Sequence, residues 1–185
     1  MAIGAFGRVP DLSSGASDSH MEDPVHELVV RLYEELRVPV SRHLTRLGVP
    51  PALVADLCQE AFLRLFQALR AGEPVANPPA WIFAVARNAG LNARAAQART
   101  EGLDEHSDWS AAQADDAETA VLKDERMARI HSAMEGLPAE QRECLRLRAE
   151  GFRYREIGDI MGVSTSTVAG ALRRGVLRIR EVIHD

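Results

Sequence analysis

Hydroxyls and guanidiniums are the functional groups that this chain gathers most densely. Residues 153–180 read RYREIGDIMGVSTSTVAGALRRGVLRIR, and from Ser164 to Arg180 they hold four arginines and no acid. Arginine forks donate to phosphate oxygens and to base edges, and short hydroxyls reach either. The chemistry on offer is recognition of a polyanion, with no bond made or broken. Catalysis has no comparable signature here. His26, His43, His106, His131 and His184 form no metal-ligand spacing, and no nucleophile sits beside a base in a recognisable motif. Cys58 and Cys144 stand alone without a CxxC, which points to buried reduced thiols. No metal or cofactor is expected.

Two short helices joined by a tight turn must position these groups. Ile157, Ile160 and Met161 recur at helical spacing. Gly162 can take the positive φ of a sharp helix exit, and Ser164 and Thr165 are suited to cap a second helix. Val168, Leu172, Val176 and Ile179 then repeat close to a 3.6-residue period. Small Gly158 falls where two helices would cross, and Val168 where a buried aliphatic belongs. The pattern is a helix-turn-helix. Ser164, Thr165, Ser166 and Thr167 stand at the start of its second helix, with Arg173 and Arg174 further along.

The remainder is helical by pattern. Aromatics make up 5% of the 185 residues, Ala and Leu are abundant and no stretch alternates with period two, so an all-α fold is expected. The length allows two small domains, each with a modest core. With no secretory leader and no apolar run of the ~18 residues a membrane span needs, a cytoplasmic chain without membrane insertion is expected. Net charge is −5, but it is unevenly spread. Residues 61–99 hold five arginines against one acid, while 100–126 hold nine acids against two bases. Local patches govern nucleic-acid binding more than the total does.

Taken in order, residues 1–20 are rich in Gly, Ser and Ala and are expected to be a disordered leader, with Met21 a plausible second start. Three amphipathic patterns make a first domain over 21–99. The first helix runs from Pro24 to Leu47, and Pro39 should kink or divide it. The second, about Ala52 to Ala71, buries Leu53, Leu57, Ala61, Leu65 and Leu69 and turns Gln59, Glu60, Arg64 and Gln67 outward. Asn77-Pro78-Pro79 reads as a cap followed by proline in the first turn, opening a third helix from Ala80 to about Arg99. That helix buries Trp81, Ile82, Val85 and Ala89 and leaves Arg87, Asn88, Asn92 and Arg94 available. Residues 100–117 should form an acidic linker, extended by like charge. A second domain over 118–185 holds a helix from near Glu118, another from Ala139 to Glu150, and the helix-turn-helix.

In this order, DLCQEAFLRLFQAL (Asp56–Leu69), PAWIFAVARNAGLNARAAQAR (Pro79–Arg99), an acidic linker and LPAEQRECLRLRAEGFRYREIGDIMGVSTSTV (Leu137–Val168) resemble the extracytoplasmic-function (ECF) group of bacterial sigma factors, in the sigma-70 family. The resemblance covers roughly Glu22 to Ile183. It implies a two-domain subunit, not an enzyme, that recruits core RNA polymerase to promoters without a cofactor. It implies that Asp56, Gln59, Glu60 and Phe62, with Arg64 and Gln67 nearby, dock on the β′ clamp helices. It assigns the −10 element to Trp81, Phe83, Arg87, Asn88, Asn92, Arg94 and Arg99, with Trp81 better suited to the core than to stacking. The −35 element falls to Ser164, Thr165, Ser166, Thr167, Arg173 and Arg174, in a domain that also meets the β flap. An anti-sigma factor is a further implied partner, wedged between the domains over the faces that polymerase and DNA need.

Two DNA-facing stretches depart from the family pattern. After Asn92, relatives commonly carry a run of arginines, here thinned to Ala93-Arg94-Ala95-Ala96-Gln97-Ala98-Arg99. In the recognition helix, the usual T-V-K-S-R-L-x-R-A-R is replaced by Thr167-Val168-Ala169-Gly170-Ala171-Leu172-Arg173-Arg174-Gly175-Val176. A lysine and an arginine are lost, and each of two glycines should weaken the helix by roughly 1 kcal/mol. Weak DNA binding by the chain alone is therefore expected, with polymerase supplying avidity. Two other readings stay open on the sequence: a sigma-like adaptor or decoy with weakened DNA binding, and a stand-alone helix-turn-helix regulator. The second lacks support from the first half of the chain, which shows no strand-helix alternation of a sensor domain.

Overall fold

The computed structural model describes residues 23–101 and 124–184. Among them are α1 (Pro24–Arg46), α2 (Pro51–Arg70), α3 (Pro78–Glu101), α4 (Asp124–Glu135), α5 (Ala139–Ala149), α6 (Tyr154–Met161) and α7 (Thr165–His184), and no strand. They divide into two compact units, α1–α3 and α4–α7. The expected leader, the acidic linker beyond Glu101 and any start of α4 before Asp124 lie outside the described residues.

In the first unit, each of the three helices packs on the other two. Leu32, Leu36, Val40 and Leu44, four residues apart, put one fully buried stripe of α1 into the core. Asp23 starts the helix, its Oδ1 accepting from the Val25 amide at 3.1 Å. Its other oxygen meets Arg70 Nη1 at 3.4 Å, tying the start of α1 to the end of α2. Pro39 does not divide α1. Leu36 and Val40, on either side of it, are anchored in the core, and that packing outweighs the ~3 kcal/mol penalty of an interior proline. Asn77 caps α3 as its sequence suggests, Oδ1 accepting from the Ala80 amide at 3.1 Å, with Pro78 and Pro79 in the first turn. A Cβ on Gly90 would meet Leu44 Cδ2 and Val49 Cγ2 at 2.9 Å each, so α3 can approach the end of α1 this closely at a glycine alone. Leu53, expected in the core, is 40% exposed, because it lies ~120° round α2 from buried Leu65.

In the second unit, α7 packs against α4, α5 and α6 around Leu147, Ile157, Ile160 and Val168. Gly162 ends α6 at φ 69°, the left-handed conformation that the turn demands. Gly158 is held tighter still, since a Cβ there would lie 2.8 Å from the Val163 carbonyl oxygen. Glu156 closes the start of α6, its Oε2 accepting from the Arg153 amide at 2.7 Å. One expectation about α7 needs correction. Gly175 is not simply a weak point, because a Cβ there would come within 2.8 Å of Leu145 Cδ1; its absence brings α7 against α5.

Candidate nucleic-acid interface

The N-terminal turn of α7 is built from hydroxyls. Ser164 Oγ accepts from the Thr167 amide at 3.1 Å and lies 2.8 Å from both Ser166 Oγ and Thr167 Oγ1. Ser164 is thus the residue that starts the helix, while Thr165, Ser166 and Thr167 are exposed around its positive end. At ~100° per residue, Ser166, Gly170, Arg173, Leu177 and Arg180 share the outward face, opposite buried Val168 and Leu172. Arg173 and Arg174 are both exposed. The expected set is therefore brought onto one helix end and one face.

A neighbouring group was absent from the sequence assignment. Arg153, Tyr154 and Arg155 are exposed at the start of α6, and Arg148 brings its guanidinium to 5.9 Å from the Tyr154 ring centre. Arg148 Nη1 also donates to the Phe152 carbonyl at 3.1 Å, which fixes that approach. In a helix-turn-helix the first helix crosses the phosphate backbone, so these cations stand where phosphates would run. The run Arg153-Tyr154-Arg155 was the signal in the sequence; only the contact with Arg148 needed the fold.

The residues assigned on α3 separate into distinct faces. Trp81, Asn88, Asn92 and Arg99 fall within about 40° of one another round the helix. Asn88, Asn92 and Arg99 are exposed and Trp81 is half-buried at the edge of the core. Arg87 and Arg94 lie ~120–140° away, both half-buried. Arg94 Nη1 donates to the Leu47 carbonyl at 2.9 Å, capping the end of α1. Phe83 is wholly buried, its ring 5.3 Å from that of His43, and does not reach the surface. Phe83 is thereby corrected from a direct contact to a residue that holds the unit together, and Arg94 ties α3 to the end of α1. Replacing Arg94 with alanine is expected to lower unfolding stability by about 1–2 kcal/mol, the worth of a part-buried charged hydrogen bond. Binding of promoter DNA should keep its salt slope in that variant, whereas Arg99→Ala should reduce the slope by about one. Thermal unfolding and a salt titration separate the two.

On α2, Asp56, Glu60, Leu63 and Gln67 make one stripe opposite the buried face of Cys58, Ala61, Leu65 and Ala68. Asp56, Gln59 and Gln67 are exposed, and Arg64 Nε meets Glu60 Oε1 at 2.7 Å. An exposed pair of this kind contributes under ~1 kcal/mol to stability, which leaves both side chains available to a partner. Phe62 is 3% exposed and packs edge-on against Tyr33, ring centres 5.1 Å apart. It shapes the face from below instead of forming it. Leu63, 47% exposed at the centre of the stripe, is the residue that pattern reading passed over.

The remaining reactive groups are packed away. Burial pushes the Cys58 thiol above its ordinary range, partly offset by a hydrogen bond with Ser41 and by the charge of Arg37. Cys144 is buried against Met161, sulfur to sulfur at 3.4 Å. Among the described residues, no group of three or more His, Cys, Asp or Glu side chains is arranged to hold a metal, and no helix is long and apolar enough to cross a membrane.

Comparison with known proteins shows the family. Residues 32–100 match the family model for sigma-70 region 2, and residues 127–179 match that for sigma-70 region 4. The chain belongs to the sigma-70 family, in its ECF group. It is 29% identical over 168 residues to the ECF RNA polymerase sigma-E factor of Escherichia coli strain K12, covering 85% of this chain and 83% of that one. It is 31% identical over 132 residues to the ECF sigma factor SigE of Mycolicibacterium smegmatis, covering 69% of this chain and 51% of that one. The sigma factor fold is shared with RpoE of Bartonella quintana, solved with the anti-sigma factor NepR, at a TM-score of 0.65 and 19% identity over 85% of this chain and 98% of that one. It is also shared with CnrH, solved with the cytosolic domain of CnrY, at a TM-score of 0.54 and 21% identity over 85% and 88%. In this sigma factor the region 2 match takes in the outward faces of both α2 and α3. The region 4 match takes in α5, α6 and about the first four turns of α7.

Proposed function

We propose that this ECF sigma factor binds core RNA polymerase through the outward stripe of α2, on the β′ clamp helices, and directs promoter-specific initiation in the cytoplasm. In this reading Trp81, Asn88, Asn92 and Arg99 on α3 face the −10 element, while half-buried Arg87 lies on the neighbouring side of the helix. Thr165, Ser166, Thr167, Arg173 and Arg174 on α7 face the −35 element, started by Ser164 and flanked by the cations of α6. The β flap meets the second unit. Polymerase performs the chemistry, so the chain needs no catalytic group or cofactor of its own.

The observation that carries the reading is the outward face of α7. A helix that begins in exposed hydroxyls and carries only positive charge to Arg180 suits base edges at one end and phosphates beyond. An anti-sigma factor is a further proposed partner, supported by the fold neighbour RpoE, which was solved with the anti-sigma factor NepR. The test is run-off transcription by purified bacterial core polymerase with this chain over a genomic promoter library. Promoter-dependent transcripts are expected, and Arg173→Ala should remove most of them. Tight core binding without transcripts at low salt would sink the promoter-reading half of the proposal and leave an adaptor.

A further inference from the structure

We propose that Gly170 and Arg174 form one reading unit on α7: the absent side chain at 170 is the seat in which the Arg174 guanidinium lies, and that seat aims the arginine at a base edge. The inference rests on α7 being the −35 helix. A Cβ placed on Gly170 would lie 3.2 Å from Arg174 Nη1 and 3.8 Å from both Cζ and Nη2, so its nearest neighbours all belong to one guanidinium. Helical side chains lean toward the N-terminus, which carries residue i+4 back over residue i. Here nothing at position i holds the arginine off, and its head settles against the helix.

The guanidinium therefore lies over the middle of the outward face, with Gly170 beneath it and the exposed Ser166 hydroxyl one turn before. A guanidinium held there offers two parallel donors, the pattern that matches O6 and N7 of guanine. The same arginine standing away from the helix would reach phosphate instead, which carries no sequence information. Gly170 therefore converts a phosphate-binding position into a base-reading one, and the thinned recognition helix trades affinity for selectivity at one base pair.

The test uses holoenzyme assembled from core polymerase and the full chain, presented with promoter duplexes randomised across the −35 region. Bound sequences are counted for the wild type, Gly170→Ala, Arg174→Ala, the double variant and Arg173→Ala. Gly170→Ala is expected to relax the preference for guanine at one position about tenfold. Its salt dependence should be unchanged, because no charge is removed. Its thermal midpoint should not fall, since the displaced atoms end a flexible side chain and alanine favours a helix. Arg174→Ala should lose the same preference, and the double variant should match Arg174→Ala alone. The proposal is overturned if Gly170→Ala keeps the wild-type preference, or if its loss adds in full to that of Arg174→Ala. If Arg174→Ala keeps the preference while Arg173→Ala abolishes binding, the seat is wrong and α7 remains the DNA helix. Neutral behaviour of both arginine variants overturns the two readings together.

Discussion

Replacing Leu63 with glutamate is expected to lower affinity for core RNA polymerase about 100-fold and to leave the fold intact. The side chain is 47% exposed on the face of α2 opposite the core, so its removal creates no cavity, and the stability change should stay within about 0.5 kcal/mol. In the proposed complex it would change place from water to a partner helix. Burying a leucine is worth about 1.5–3 kcal/mol, and a carboxylate in its position would be desolvated without a partner. Asp56, Gln59, Glu60 and Gln67 surround it as a polar rim, so alanine at Gln59 or Gln67 should cost less than about tenfold. Anisotropy of the labelled chain titrated with core polymerase, beside far-UV circular dichroism, reads both effects. An affinity within threefold of the wild type would mean that polymerase grips another face of α2.

The largest stability effect belongs to Gly158. Alanine there would set a methyl group 2.8 Å from a backbone oxygen, that of Val163, in the turn between α6 and α7. A backbone atom cannot rotate away, so the turn or the helix crossing must move, at about 3 kcal/mol. Gly175→Ala also creates a 2.8 Å approach, but against Leu145 Cδ1, the end of a side chain that can change rotamer, and about 1 kcal/mol is expected. Amide hydrogen exchange read across α6 and α7 suits a chain of two units, where a single unfolding midpoint is poorly defined. Exchange at α6 should accelerate roughly 100-fold in Gly158→Ala, in line with that loss of stability. Unchanged protection there would show that the crossing can open at no cost.

Local rules carried the sequence reading a long way. The Asn77 cap, the Gly162 exit and the Ser164 start are each decided within four residues, and each stands in the structure as its residue types imply. What escaped was settled by distant neighbours. Arg94 looks like any basic residue on α3 until the carbonyl of Leu47, far away in sequence, appears at hydrogen-bonding distance. Phe62 and Phe83 sit inside motifs whose polar members face outward, and the motif does not say which of its residues turn inward. Gly170 and Gly175 are equal in helix propensity, yet one faces an arginine head and the other a leucine of α5. Pro39 does not divide α1 for the same reason: its local penalty is outweighed by the core on either side.

The hydroxyl cluster at the start of α7 has a consequence for how much information a promoter must carry. Between Ser164, Ser166 and Thr167, either oxygen of each close pair can be the donor, so the protons can rearrange together. Such a surface can greet an acceptor or a donor on a base edge and discriminates weakly between them. A guanidinium has no such freedom, because it donates and never accepts. A −35 element read by α7 should then be uneven: strict where it meets arginine, permissive where it meets the hydroxyls. Promoters differing at the permissive positions would be served by the same sigma factor, and such a regulon could gain members by drift at those base pairs.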